Sequence, residues 1–282
     1  MKAILLPTDF STNSLNVNAI DYALELFKRE PCEFYIINIQ KASSFVSDDL
    51  MTMSSSATIY QTLIDAAIKS IKNIIIKVEK KYANNLHQFH SIVDYDNFID
   101  GINQICETRH IDLIVMGTKG ASGAEKVIFG SNTVRVMQRC NTPVLAIPNG
   151  CAFKGLERIA FTSNYATLYN KKDLKPLVDI LGLYNSKIDI LHLANKNDLS
   201  QDQENNKALL DACFRNAAHE FIDLSNKDIF KTIQDYLNSN EIKMLAMMNK
   251  KHSFLERLFT KHLVETFAFK IDIPFLVMEN TA

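Results

Sequence analysis

Ile111-Asp112-Leu113-Ile114-Val115-Met116-Gly117-Thr118-Lys119-Gly120 is an apolar run that ends in two spaced glycines, and Gly130-Ser131-Asn132-Thr133 follows after nine intervening residues. A helical period (Val134, Met137, Cys140) begins just beyond it. Strand, glycine turn and helix in that order predict one α/β unit with an open edge. Glycines at such an edge let a phosphate approach the backbone without meeting a Cβ. Ser131 and the free amides of the following helix would donate to phosphate oxygens, in the favourable field of a helix N-terminus. The stretch therefore reads as a nucleotide pocket.

Working outward, strand-like and helix-like segments alternate along the chain, which predicts an α/β protein with parallel sheet. In the first half, Ala3–Leu6, Glu33–Ile39, His90–Val93, Ile111–Met116 and Val144–Ile147 read as strands. Between them, three sets of apolar residues share a helical face: Val17, Ile20, Ala23, Leu24 and Phe27; Ile64, Ile68, Ile71, Ile75 and Val78; and Phe98, Ile102 and Ile105. A Ser/Met-rich stretch from Ala42 to Ala57 has no period and reads as a loop over the pocket.

The second half repeats the plan, with strands expected at Ile159–Thr162, Ile188–Leu193, Glu220–Leu224, Ile242–Met247 and Phe275–Val277. Without a gap, Ile111–Met116 aligns with Ile242–Met247, and Asn141-Thr142-Pro143-Val144-Leu145 with Asp272-Ile273-Pro274-Phe275-Leu276. The preceding helix keeps that phase, Ile102 against Ile233 and Cys106 against Leu237. Two unrelated domains rarely share such a register, so the sequence predicts a duplication: a first domain over residues 1–149 and a second over 150–282.

At 282 residues each copy is long enough to bury its own core. A net charge of -1 gives no global field toward nucleic acid or an acidic membrane. No apolar stretch nears the roughly 20 residues that span a bilayer, and Met1-Lys2 leads straight into a short strand and Pro7 rather than a secretory leader. The five cysteines are scattered and none forms C-x-x-C, which argues against a disulfide framework or zinc site and fits a reducing cytoplasm.

With those residues in place, the chain resembles the universal stress protein family in its tandem form. The family's signature G-x2-G-x9-G-[S/T] is met by Gly117, Gly120, Gly130 and Ser131, the opening Ile4-Leu5-Leu6-Pro7-Thr8-Asp9-Phe10-Ser11 looks like its first strand and turn, and Asn141–Pro148 looks like its last strand. The resemblance implies two adenine nucleotide alpha hydrolase-like domains, each a five-stranded parallel sheet flanked by helices. It implies ATP, or AMP, at the carboxyl edge of the first, with or without Mg2+. Pro7, Thr8 and Asp9 would border adenine and ribose, and Ile39 would pack on the base. Met116 and Gly117 would lie along the ribose, and Gly120, Gly130, Ser131, Asn132 and Thr133 would hold phosphates. Each residue keeps an ordinary alternative: Asp9 as a turn or helix start, Ile39 as core, the glycines as turn residues. The resemblance also implies pairing of the two final strands within one chain, with a further homodimer and a protein partner left open.

In the same register Met248 replaces Gly117, Lys251 replaces Gly120, Lys261 and His262 replace Gly130 and Ser131, and Asn164 stands for Asp9. The second copy is thus expected to have lost the pocket and to be structural or regulatory. Lys250–Phe259 reads as an amphipathic helix or as a basic surface for an anion or partner.

Other chemistries find little support. There is no G-x4-G-K-[S/T], no S-G-G-x-D-S loop and no G-x-S-x-G elbow. His87 and His90 form H-x-x-H, but on a strand that spacing sends them to opposite faces, away from a shared metal. No catalytic residue or metal site is assigned. Three readings remain: a nucleotide-dependent sensor or switch, a slow ATPase or phosphotransferase, and a nucleotide-free interaction module.

Overall fold

The computed structural model describes residues 1–8, 15–40, 53–95, 97–118, 130–193, 199–224, 229–249 and 272–281. Its first half contains β1 (Lys2–Pro7), α1 (Leu15–Leu26), β2 (Cys32–Gln40), α2 (Met53–Tyr82), β3 (His87–Tyr95), α3 (Phe98–Thr108), β4 (Leu113–Gly117), α4 (Ser131–Arg139) and β5 (Val144–Ile147). The second contains β6 (Arg158–Ser163), α5 (Lys171–Tyr184), β7 (Lys187–Leu193), α6 (Gln201–Phe214), β8 (His219–Leu224), α7 (Ile229–Ser239), β9 (Met244–Asn249) and β10 (Phe275–Glu279).

Among the described residues, all ten strands join one sheet in the order β3-β2-β1-β4-β5-β10-β9-β6-β7-β8. Each half is a parallel set of five, and the halves meet through β5 and β10, which run antiparallel with Leu145 opposite Leu276. Val144–Ile147 and Phe275–Val277 are all buried, as strands covered on both faces must be. The expected pairing of the two final strands within one chain is therefore present. One core, containing Leu24, Phe34, Phe161 and Leu177, lies against one face of the sheet; a second, containing Ile102, Val136, Ile233 and Val277, lies against the other. Both cores draw residues from both halves.

The shared phase is visible in three dimensions. Helices α3 and α7 each span 11 residues, starting at Phe98 and Ile229. Each ends in a turn through a left-handed residue that is not glycine, His110 at φ 50° and Glu241 at φ 51°. The next residue donates back into the helix in both copies, Ile111 to the Cys106 carbonyl at 3.0 Å and Ile242 to Leu237 at 3.3 Å.

That turn explains why β4 and β9 start two residues later than their apolar runs suggest. Ile111 and Ile242 are buried because the turn tucks under the core, not because they pair in the sheet. The expected loop Ala42–Ala57 is shorter than read, because Met53–Ala57 already belong to α2. A serine run has no apolar period, and the first turn of a helix needs none. Residues 41–52 lie outside the described residues. The buried residues of α3 are Ile99, Gly101, Ile102 and Cys106, with Phe98 and Ile105 only partly covered beside them.

His87 and His90 do project to opposite faces of β3. His87 meets the edge of Phe34 at 4.9 Å, while His90 stacks on Tyr35 at 4.6 Å.

Candidate functional site

The strand order of the first half reverses between β1 and β4, the place where open α/β sheets leave a crevice beyond their carboxyl ends. Pairing between these strands reaches only Leu5 with Ile114, although β1 continues to Pro7 and β4 to Gly117. Their ends therefore border the crevice. Thr8 is buried there; its N–H donates to the Ile37 carbonyl at 2.8 Å, and its own carbonyl accepts from Asn38 Nδ2 at 2.7 Å. Met116 is buried at the end of β4, and Thr118 just beyond donates its N–H to Ile147 at 2.9 Å. The Thr118 hydroxyl is buried with no partner among the described residues.

Helix α4 enters this edge N-terminus first. The Thr133 hydroxyl donates to the Gly117 carbonyl at 3.1 Å, fixing the first turn of the helix against the end of β4. Gly130 is its N-cap, in extended conformation and without a side chain to accept from the helix amides. The contrast is sharp with α3, α5 and α6, whose N-caps Asn97, Asn170 and Ser200 each accept from a backbone amide. Helix starts usually carry such an acceptor because their first amides have no partner within the helix. An N-terminus capped by glycine, with Ser131 and Asn132 exposed on it, suits an anion supplied from outside.

Of the residues read from the sequence, Pro7, Thr8, Met116, Gly117, Gly130, Ser131, Asn132 and Thr133 stand at this edge. Asp9 and Gly120 lie outside the described residues. Ile39 is on β2 and its Cδ1 packs against α3, 3.0 Å from where a Cβ on Gly101 would sit. Ile39 is half-buried there, on the face of the sheet that α3 and α4 cover.

At the corresponding edge of the second half lies a residue that sequence reasoning missed. Tyr165, just beyond β6, is fully buried, stacked on His192 of β7 at 4.2 Å and 17°. It takes a left-handed backbone, φ 55°, unusual for a bulky residue. Lys207 of α6 lies over the rings of Tyr165 and Phe221 at 5.8 and 5.1 Å. Helix α6 clamps the segment further: Gln203 Nε2 donates to the Asn164 carbonyl and Asn206 Nδ2 to that of Tyr165. Asn164 itself accepts from the Ala166 amide at 3.0 Å, a local turn. Met248, in the Gly117 position, is buried among core residues. Lys251, Lys261 and His262 lie outside the described residues, as does the whole of Lys250–Phe259. The only signal available in the sequence was an aromatic residue directly after Asn164.

Residues 1–148 match the universal stress protein family. The chain belongs to that family. Two universal stress proteins of Methanocaldococcus jannaschii are similar to it. One is 30% identical over 151 residues, covering 52% of this chain and 81% of the relative; the other is 23% identical over 154 residues, covering 52% and 94%. The crystal structure of a universal stress protein from Archaeoglobus fulgidus DSM 4304 superposes along nearly the whole chain, with a TM-score of 0.63 at 16% identity, covering 99% of this chain and 96% of that one. The fold of both halves is therefore shared with a known member. No helix among the described residues is long and apolar enough to cross a membrane.

Proposed function

We propose that the first half, residues 1–149, binds an adenine nucleotide, ATP or AMP, and serves as a cytoplasmic stress sensor or switch. The second half, residues 150–282, is its nucleotide-free structural or regulatory partner. The observation that carries this reading is the N-terminus of α4: a glycine cap without an acceptor, anchored through Thr133 to the end of β4 at the switch point of the sheet. The glycine signature Gly117, Gly120, Gly130, Ser131 supports it.

On this reading the α4 amides and the Ser131 and Asn132 side chains hold phosphate oxygens. Pro7, Thr8, Asp9 and Met116 flank base and ribose, with Ile39 packing on the base. Gly120 lets the phosphates approach the backbone. Mg2+ would accompany ATP by neutralising phosphate charge. Occupancy would order the segments that border the crevice and so change a surface read by another protein. Because β5 and β10 already pair with each other, any homodimer would form through a different surface.

Thermal unfolding tests the proposal. Millimolar ATP should raise the melting temperature of the wild-type chain by mass action, and Gly130→Lys, which places a bulky cationic side chain on the cap, should abolish the rise. Absence of any rise with both ATP and AMP would refute it.

A further inference from the structure

We propose that Asn249, in the second half, is a positioning residue for the phosphate-facing helix of the first; the proposal rests on the nucleotide reading above and names how the second half regulates that site. Asn249 ends β9, and its Nδ2 donates to the Met137 carbonyl at 3.1 Å and to Glu279 Oε2 at 2.8 Å. Two acceptors fix the orientation of the amide, since its oxygen could make neither bond. Met137 lies in the last turn of α4, where carbonyls have no partner further along the helix. The second half therefore caps the C-terminus of the helix whose N-terminus faces the crevice.

The consequence follows from the length of α4. It spans 9 residues, too few to be stable from its own hydrogen bonds. Its place depends on the face it buries, Thr133, Val136 and Met137, and on what holds its ends. At the N-terminus Thr133 bonds to Gly117, within the first half. At the C-terminus the first half offers Asn103 Nδ2 to the Arg139 carbonyl at 3.4 Å, exposed and long, whereas Asn249 makes the shorter, part-buried bond. Asn249 is itself braced. Glu279 is half-buried on β10, and the following Thr281 donates through both N–H and hydroxyl to Asp173 on α5, each at 2.8 Å. A chain of contacts thus runs from the N-terminus of α5 through the C-terminal residues and β9 to α4. Displacement of any link moves the amides proposed to hold phosphate.

The test uses the full chain, with ATP as probe and amide hydrogen exchange as a readout that needs no ligand. Asn249→Ala should weaken ATP binding about fivefold, the loss of one hydrogen bond to a carbonyl, and speed exchange of the α4 amides severalfold while leaving those of β1 unchanged. Asn249→Asp, which cannot donate and faces Glu279, should do at least as much. Glu279→Gln keeps an acceptor before Asn249 and should behave as wild type, and Asn103→Ala should have the smaller effect. Wild-type affinity together with wild-type α4 exchange in Asn249→Ala overturns the proposal. A wild-type chain that binds no nucleotide, with α4 exchange still faster in Asn249→Ala, supports the positioning role and refutes the nucleotide reading instead.

Discussion

The Tyr165 ring lies 4.2 Å from His192, nearly parallel to it, and its hydroxyl is buried with no partner among the described residues. Ring and hydroxyl therefore contribute with opposite sign. Tyr165→Phe keeps the stack and removes a desolvated hydroxyl, so chemical denaturation should find it neutral or up to about 1 kcal/mol more stable. Tyr165→Ala leaves a cavity and should cost about 3–5 kcal/mol. Equal losses in both variants would mean that the hydroxyl, not the ring, holds this segment.

In the first half, Thr133 anchors the start of α4 to the end of β4. Thr133→Val keeps the shape and removes the bond to Gly117, at a cost of about 1 kcal/mol in stability. If α4 holds phosphate, ATP affinity should fall by a similar factor, roughly fivefold, in a fluorescence titration. Lost stability with unchanged affinity would separate this hydroxyl from the site.

At the opposite edge of the second half, the Asp189 carboxylate is fully buried on β7 and is met by Arg158 Nε at 2.6 Å and the Tyr236 hydroxyl at 3.0 Å. Burial, with hydrogen bonding and the charge of Asp189 added to it, pushes the Tyr236 hydroxyl up to about 12. Arg158→Met leaves a buried carboxylate with only Tyr236 and the more distant Lys187 and should cost up to about 3–5 kcal/mol, while Arg158→Met combined with Asp189→Leu should recover most of it. A double variant no better than the single would show that the Arg158 bonds to Asn240 and Tyr236 carry the stability instead.

Two histidines should give opposite pH dependence. Burial opposes a charge on His219, but the Ala217 carbonyl and Asp211 outweigh it and raise its pKa above the ordinary 6.5. Its contribution is full below 6.5 and is lost as pH rises through the raised value. His219→Gln should therefore cost more at pH 5.5 than at pH 8.5. For His87, burial lowers the pKa despite the Phe27 carbonyl. Its neutral form suits the fold, and stability is lost as pH falls through 6.5 toward the lowered value. His87→Leu should accordingly gain on wild type in acid. A shared direction in the two profiles would contradict one assignment, and flat profiles in both variants would contradict the pair.

The sequence revealed most where one residue's neighbours decide its place. Strand β5 is Val144–Ile147 as read, because an apolar run after Asn141-Thr142-Pro143 has one way to enter the sheet. The register matching Ile102 with Ile233 also holds, since both are buried on corresponding helices. What escaped depended on distant residues. Ile111 and Ile242 look like strand but serve the turn before it. His87 extends β3 beyond its apolar centre because the full length of β2 pairs with it. The candidate site divides the same way: the spacing put Gly117 and Gly130 at one edge, whereas Thr133, read as a phosphate contact, instead bonds the Gly117 carbonyl, the packing of Tyr165 needs His192 and Lys207, and the capping of α4 needs Asn249 from the other half.

The most direct measurement is the stoichiometry of ATP binding to the intact chain by isothermal titration. The account predicts one saturable site per chain, removed by Gly130→Lys and untouched by Tyr165→Phe. No heat of binding at millimolar ATP, or two equivalent sites per chain, would contradict it.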